Sequence, residues 1–304
     1  MSGRNEPLTI EPTLQTFLPA SEPFDFDASL RFVRGFPAMA GEESLEAGAL
    51  TVALREVRTL VGARLTASDG RCGLDCDLFS PAPLTDDVVT AVRDRLTFRF
   101  SLDDDLASFY ALADTDPPFA AVVRRLHGYH QVKFPSPLEL LCWAILCQRI
   151  PMPVARGMKQ AIVAACGNDI VVEGRELQAF PDAEQLLALS QDRLQELIGN
   201  GRKAAYLYGT LRGWVEIDEE FLRTGEYAAV REWLLSLPGI GPWSASFVLI
   251  RGLGRTEGMA PDPEVLRAAS AAYARPVDAA GFSQLASRYG AFQGYWGHYL
   301  RVGS

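Results

Sequence analysis

Asp262 is an aspartate that could act chemically, and it lies between two prolines at the predicted start of a helix. Pro263 restricts Asp262 to an extended conformation and suits the first helical position, so the Asp262 side chain is a good N-cap. A carboxylate can also stabilise a developing positive charge or orient a water molecule. We interpret Asp262 as a residue that both caps the helix and catalyses; the alternative is that it only caps.

A glycine-rich corner precedes Asp262 by about twenty residues. Apolar residues follow the spacing of one helix face at Val230, Trp233, Leu234 and Leu237. The segment Pro238-Gly239-Ile240-Gly241 then ends that helix, and Pro242 suits the start of another. The free amides at the start of the second helix form a small anion site, for which phosphate is the obvious ligand. The alternative is a helix connector with a glycine cap.

The order L-P-G-I-G-x-W followed by an aspartate resembles the helix–hairpin–helix, Gly/Pro-rich loop and Asp signature of the base-excision DNA glycosylase superfamily. Within it, the chain is most similar to the 3-methyladenine DNA glycosylase II (AlkA-like) branch. Further segments are similar to landmarks of that branch, at residues 137–139, 144–149, 179–181 and 202–204. The likeness covers residues 131–304 and is weaker before them.

The resemblance implies a monofunctional glycosylase that excises alkylated purines of the 3-methyladenine and 7-methylguanine type by base flipping and hydrolysis of the N-glycosidic bond. Asp262 would then be the catalytic residue. A gapless alignment to the common Pro-x-Asp pattern instead places Pro263 on the catalytic position. An alignment on the acid with an apolar residue at +3 and a basic residue at +5 selects Asp262. Glu264 is the other candidate acid, or the chain has lost its acid.

The second helix of the hairpin begins with an aromatic pair. Trp243 occupies the site at which bifunctional relatives carry a lysine nucleophile, and no lysine is near it in the sequence. A Schiff base and strand cleavage are therefore not expected. By likeness, Trp243 and Phe247 face the substrate pocket and stack on an extruded base. The alternative is that both pack within the second helix.

The resemblance places DNA contacts in two segments. Gln148 and Arg149 end a helix where the family inserts a side chain into the gap left by the flipped nucleotide, so Arg149 is the candidate wedge; a phosphate contact or a solvated helix end is the alternative. The hairpin would contact DNA at Leu237, Gly239, Ile240, Gly241, Trp243 and Ser244. By likeness, the backbone carbonyls of Leu235, Leu237 and Ile240 would bind Na⁺ or K⁺ when DNA is bound. No other cofactor, and no nucleotide cofactor, is expected.

The charge distribution permits DNA binding without predicting it. The 304-residue chain has a formal net charge of −9, but residues 1–130 contain 12 Lys+Arg against 20 Asp+Glu, and residues 131–304 contain 17 against 18. The C-terminal part is thus near neutral, and its positive patches could use Arg149, Arg202, Lys203 and Arg212. We expect a monomer whose partner is double-stranded DNA with alkylated bases.

Cysteines, histidines and hydropathy indicate no metal or membrane site. Five cysteines at irregular spacings are interpreted as free thiols; the alternative for Cys72 and Cys76, which share a strand face, is that they bind a metal. The three histidines lack metal-ligand spacing and are interpreted as surface or structural groups. No apolar stretch is long enough to cross a bilayer, and the N-terminus lacks a signal-peptide pattern. We expect a soluble cytoplasmic protein, nucleoid-associated if bacterial.

The sequence predicts an α+β protein: a tail or edge segment at residues 1–22, an α/β domain with a small antiparallel sheet at 23–115, and a mostly helical glycosylase bundle at 116–304. Period-two alternation predicts strands at 50–54, 59–66 and 72–79, with a last short strand at 98–100. A cleft between the two domains is the expected ligand site. Alternative functions are a DNA-binding protein that recognises damage without excising it, motivated by Pro263, and a glycosylase for oxidised guanine or deaminated adenine.

Overall fold

A computed structural model describes residues 12–36, 38 and 42–303, and it confirms the predicted α+β class. The part of the expected tail at residues 1–11 lies outside the described residues. A small antiparallel sheet comes first and a large set of helices follows. None of the described helices is both long and apolar enough to span a bilayer.

The sheet has five antiparallel strands in the order β1-β5-β4-β3-β2. Its strands are β1 Leu14–Pro19, β2 Ser44–Glu46, β3 Ala49–Glu56, β4 Thr59–Ala67 and β5 Gly73–Phe79. The three predicted strands correspond to β3, β4 and β5. In the predicted tail or edge segment, residues 14–19 form an edge strand, in which Leu14 lies opposite Leu78 of β5.

Helices make up most of the remaining chain. The first four are α1 Phe26–Gly35, α2 Asp86–Arg99, α3 Ala107–Asp114 and α4 Pro117–Arg125. The next eight are α5 Pro137–Leu146, α6 Met152–Cys166, α7 Ala183–Ala188, α8 Gln191–Ile198, α9 Gly201–Trp214, α10 Glu219–Thr224, α11 Tyr227–Ser236 and α12 Pro242–Leu253. The last are α13 Pro263–Ala272, α14 Ala279–Ala286 and α15 Gln293–Val302, with a 3₁₀ turn at Ser287–Phe292 before α15.

The structure differs from the sequence-based expectation in two places: one predicted strand is a helix end, and one hairpin was not predicted. The predicted strand at 98–100 is wrong: α2 continues to Arg99, because Val92, Leu96 and Phe100 repeat at helical spacing and are fully buried. A hairpin that was not predicted, β6 Asp169–Val172 and β7 Arg175–Gln178, packs on the sheet. A Cβ built on Gly62 of β4 would lie 2.3 Å from Val172 Cγ2, so glycine permits this close approach.

Two large hydrophobic cores and a smaller cluster at the β6–β7 hairpin lie in the described part of the molecule. The first core combines the sheet and α1–α4 with α13–α15, whose residues Trp296 and Tyr299 are fully buried in it. The second core lies among α5–α12 and includes Trp143, Leu234 and Val248. Residues 116–304 thus contribute to both large cores, because the chain returns to the first core after α12, and the domain boundary at residue 115 stays a prediction. The candidate site lies where α12 meets α1 and α15.

Candidate active site

The glycine-rich corner joins α11 to α12 with its tip at the surface. Gly239 has φ +80°, and a Cβ there would lie 2.5 Å from Tyr206 Cδ2, so both backbone and space require glycine. Gly241 is the N-cap of α12 and Pro242 occupies its first position. Pro238 and Pro242 are exposed, and Trp243 is 47% exposed. A partner could therefore reach the corner.

Several hairpin residues predicted to contact DNA have buried side chains. Leu237 and Ile240 are each 6% exposed, because their side chains pack in the second core, and Ser244 is 5% exposed. Any contact they make with DNA must therefore use the main chain. The Ile240 amide already donates to the Leu237 carbonyl at 3.2 Å, closing the turn. The cation site at the carbonyls of Leu235, Leu237 and Ile240 stays a prediction.

Gln148 faces the hairpin. Its Nε2 donates to the Gly239 carbonyl at 2.8 Å and to the Ala144 carbonyl at 3.1 Å, which ties the end of α5 to the corner. Arg149 follows in an exposed position with φ +54°. The structure thus gives Gln148 a bracing contact that the sequence did not suggest, and it leaves the Arg149 side chain at the surface.

Lys203 does not contribute to a positive surface patch, contrary to the sequence-based expectation. Its ammonium group is buried and donates to the carbonyls of Ile145, Leu146 and Gln148, at 3.2 Å and 2.8 Å for the first and last. Burial lowers the pKa of Lys203. These bonds satisfy main-chain acceptors at the end of α5, where a helix has no internal donors left.

We expect Lys203→Met to remove the ammonium donor from these three carbonyls and to lower the free energy of unfolding by ~1–3 kcal/mol. Duplex binding should weaken as well, because Gln148 and Arg149 lose their fixed position. Chemical denaturation and DNA-binding titrations would measure both effects. Arg202→Met removes an exposed positive charge from the preceding residue and is the matched control. Equal losses of stability in the two variants would contradict the bracing role.

Asp262 both caps α13 and faces a cavity. Its Oδ1 accepts from the amides of Glu264 and Val265, both at 3.0 Å. Its Oδ2 accepts from Trp243 Nε1 at 3.4 Å and forms an ion pair with Arg301. The Asp262 side chain is 12% exposed, whereas that of Glu264 is 68% exposed. The geometry therefore favours Asp262 over Glu264 as the reactive carboxylate.

The surroundings of Asp262 keep it ionised. Partial burial by itself raises the pKa of Asp262, but the Val265 amide, Arg301 and the Trp243 indole together outweigh burial and lower the pKa below its ordinary value of 3.8. Because the folded-state pKa is lowered, the charged carboxylate stabilises the fold above its ordinary pKa, and this contribution is lost as the pH falls through the folded-state pKa. At neutral pH Asp262 is an acceptor and a negative charge, and it has no proton to donate.

We expect Arg301→Met to raise the pKa of Asp262, because burial is then opposed only by the hydrogen bonds. A ¹³C NMR titration of the carboxyl group would measure the shift directly. Arg267→Met is the control. Arg267 is exposed on α13, the helix that Asp262 caps, and its Nε donates to the Pro263 carbonyl and not to Asp262. A pKa of Asp262 that is unchanged in Arg301→Met would show that the ion pair does not set its ionisation.

The cavity beside Asp262 has a volume of about 630 Å³ and lies between α1, α12 and α15. The rings of Trp243 and Phe247 are stacked with centroids 5.3 Å apart and planes at 25°. Both rings line the cavity, and Asp262 lines it as well, so the structure brings these three side chains together. The other lining side chains that bear on the site are Phe32, Phe36, Arg251, Glu264, His298 and Arg301.

Sequence reasoning missed the cavity residues outside the hairpin. Arg301 lies 39 residues beyond Asp262, and Phe32 and Phe36 come from α1 and the residue that follows it, so no local motif connects them with the site. His298 is buried, accepts or donates a bond with Tyr129 Oη at 2.9 Å, and has a pKa well below its usual value because of burial. Its burial favours the structural one of the two roles, surface or structural, that the sequence left open. Among the described residues, no group of His, Cys, Asp and Glu could bind a metal ion.

Comparison with known proteins confirms the predicted resemblance. No protein-family model matches the chain. It is 32% identical over 156 residues to a DNA-3-methyladenine glycosylase of Bacillus subtilis, covering 51% of this chain and 52% of the relative. It is 25% identical over 288 residues to a probable bifunctional transcriptional activator/DNA repair enzyme AlkA of Mycobacterium tuberculosis, covering 93% of this chain and 55% of the relative. The chain thus spans about half the length of these curated relatives.

Solved structures show the same fold. A 3-methyladenine DNA-glycosylase from Archaeoglobus fulgidus superposes with a TM-score of 0.75 at 23% identity, over 95% of this chain and 97% of the other. An 8-oxoguanine glycosylase/lyase from Clostridium acetobutylicum superposes with a TM-score of 0.69 at 17% identity, over 97% of this chain and 99% of the other. The fold is therefore that of the helix–hairpin–helix DNA glycosylases. The sequence relatives confirm the likeness to the 3-methyladenine glycosylase and AlkA branch.

Proposed function

We propose that this chain is a DNA glycosylase that excises alkylated purines from double-stranded DNA by hydrolysing the N-glycosidic bond, without lyase activity. One observation carries the proposal: the ionised carboxylate of Asp262 lies beside the stacked rings of Trp243 and Phe247 in a cavity next to the exposed hairpin. The names of its sequence relatives support alkylated bases as substrates.

DNA binding would use the hairpin and the end of α5. Main-chain amides at the start of α12, with the positive end of the helix dipole, bind a phosphate near the lesion. Arg149, exposed and adjacent to the hairpin brace formed by Gln148, enters the gap left by the rotated nucleotide. Both contacts are independent of base sequence, as a search for damage requires.

The cavity suits a flipped base. Its volume of about 630 Å³ falls within the usual range of ligand pockets, roughly 300–1,000 Å³. Alkylation at N3 or N7 makes a purine positively charged, and such a ring stacks well on electron-rich aromatic faces such as that of Trp243. The alkylated base is also a good leaving group, so little acid catalysis is needed. The damage itself therefore supplies part of the driving force.

Asp262 would act on the sugar. Oδ1 of Asp262 accepts from two helix amides, whereas Oδ2 bonds Trp243 and Arg301, which both line the cavity, so Oδ2 lies on the cavity side of the carboxylate. As a carboxylate it stabilises the positive charge that develops on the sugar, or it orients the attacking water. Arg301 and the helix cap fix its position before substrate arrives.

The lysines of the chain support hydrolysis without strand cleavage. The sequence contains three lysines, Lys133, Lys159 and Lys203, and all are at least 93% buried. None of them lines the cavity. Lys133 bonds the Phe98 carbonyl, Lys159 forms ion pairs with Glu42 and Glu139, and Lys203 bonds the end of α5. The burial of these three amines away from the cavity supports a reaction without a Schiff base.

Release of free base from methylated duplex DNA tests the proposal. The purified chain is incubated with duplex treated with dimethyl sulfate, and chromatography measures free 3-methyladenine and 7-methylguanine. We expect base release with strands that stay intact until alkali is added. Binding without release, on this DNA and on duplexes with oxidised guanine or hypoxanthine, would favour the damage-binding alternative. Strand cleavage together with borohydride trapping would contradict the absence of lyase activity.

A further inference from the structure

Arg251 forms the inner wall of the cavity. Trp243, Phe247 and Arg251 follow at four-residue spacing along α12, so their side chains lie on one face of the helix. Exposure falls along this face from 47% at Trp243 to 8% at Arg251. With a rise of about 1.5 Å per residue, Arg251 lies about 12 Å further along the helix axis than Trp243. The cavity therefore has an open aromatic end and a buried cationic end.

The Arg251 guanidinium has few partners. Its carbon Cζ lies 4.7 Å from the ring centroid of Phe32 and 4.9 Å from that of Phe36. Its Nη2 donates to the Val132 carbonyl at 2.7 Å, and Nε is buried without a hydrogen-bond partner among the described residues. No carboxylate in the described ranges, residues 12–36, 38 and 42–303, forms an ion pair with Arg251. The side chain thus retains unused donors beside the cavity.

The charge of Arg251 persists. Burial is the main reason that its pKa falls to about 10, so the group is still cationic at neutral pH. A buried cation with one carbonyl partner is poorly compensated, since charged groups in protein interiors normally have several polar partners. His298 across the cavity is neutral at that pH, because burial keeps its pKa well below the usual value. An acceptor on a bound molecule would complete the hydrogen bonding of Arg251.

The position of Asp262 fixes which edge of a base would meet Arg251. If the sugar of the flipped nucleotide lies at Asp262, next to the Trp243 indole, the base extends inward along α12. The edge of a purine opposite its sugar carries the 6-substituent. In guanine and hypoxanthine the 6-substituent is a carbonyl oxygen, which can accept a hydrogen bond from Arg251. In adenine it is an amino group, which is itself a donor and cannot accept one from the guanidinium.

We propose that Arg251 is a specificity-determining residue that donates to the 6-carbonyl oxygen of the extruded base, so that the cavity prefers carbonyl-bearing purine lesions, such as 7-methylguanine and hypoxanthine, to adenine-type lesions such as 3-methyladenine. The inference rests on the proposed glycosylase function and names the base edge that is read. Arg251 does not touch the bond that breaks. It affects which base the cavity accepts.

Methylated duplex DNA tests this with an internal ratio, because one sample contains both 7-methylguanine and 3-methyladenine. The ratio of their initial release rates does not depend on the fraction of folded protein. We expect Arg251→Gln to lower the ratio of 7-methylguanine to 3-methyladenine release about tenfold or more, the usual effect of losing a hydrogen bond to a charged donor. Arg251→Lys, which keeps the charge, should lower this ratio less, and it is the variant to measure if Arg251→Gln does not fold.

Arg255→Gln is the control, because Arg255 is equally buried but pairs with Glu257 away from the cavity. Its release ratio should equal that of the wild type. A proportional fall of both release rates in Arg251→Gln and Arg251→Lys, with the ratio unchanged, would overturn the inference and leave Arg251 a purely structural role while the glycosylase function stands. Absence of release by the wild-type protein from any lesion duplex would instead overturn the proposed function and the inference with it.

Discussion

Asp262→Asn is expected to lower the single-turnover rate of base release by about 10²–10³-fold, the usual effect of removing one preorganised electrostatic contact to a transition state. The neutral amide cannot stabilise a positive sugar, but Asn caps helices as well as Asp does. Duplex binding should therefore change by less than about threefold, since the hairpin and Arg149 are untouched. Quenched-flow measurement of base release, with enzyme in excess over a lesion duplex, would give the rate.

Glu264→Gln is the matched control for this substitution. Glu264 lies two residues away on the same helix and approaches Arg301 at 3.4 Å, but its side chain is mostly exposed. We expect its release rate to stay within about threefold of the wild type, as for an exposed ion pair of small energy. A large loss in Glu264→Gln with little loss in Asp262→Asn would reassign the catalytic carboxylate to Glu264.

Gly239→Ala is expected to weaken duplex binding by about tenfold or more, since one phosphate contact through oriented amides carries a charge-assisted bond of ~1.5–3 kcal/mol. The new Cβ would meet Tyr206 at 2.5 Å, and φ +80° strains any residue but glycine. The corner must then shift, and the Gly239 carbonyl would move away from Gln148. Fluorescence anisotropy with an undamaged duplex would measure the change in affinity.

Gly199→Ala separates the effect of the corner from that of backbone strain. Gly199 also has a left-handed φ of +64°, but it caps α8 and a Cβ there meets nothing within 4 Å. We expect both variants to lose stability, by ~1–3 kcal/mol for the strained backbone. Only Gly239→Ala should lose DNA affinity. If Gly199→Ala weakens binding as much, the hairpin is not the phosphate anchor.

Local chemistry made the hairpin and the helix cap predictable from the sequence. Gly239, Pro242 and Pro263 each restrict the backbone at one position, so a short stretch of sequence was enough to predict a corner and a helix start. The paired apolar spacing of α11 and α12 likewise depends on neighbours within two helical turns. The structure shows Asp262 capping α13, as its place before Pro263 indicates.

Long-range packing explains what the sequence did not reveal. Arg301 and Phe32 reach the cavity from opposite ends of the chain, because α15 and α1 pack in the first core while α12 belongs to the second. Arg251 follows an apolar helix face, and nothing in its neighbourhood distinguishes it from a solvated helix end. The segment 98–100 was too short for periodicity to separate a strand from the last turn of α2.

A crystal structure of Asp262→Asn bound to a duplex with a single 7-methylguanine analogue would test the central claim most directly. We expect the damaged base to lie in the cavity, stacked on Trp243 at the usual ring spacing of roughly 3.5–4 Å, with its sugar beside residue 262 and the hairpin amides on a phosphate. A base that stays paired within the duplex, or a duplex bound to a face away from the hairpin, would contradict it.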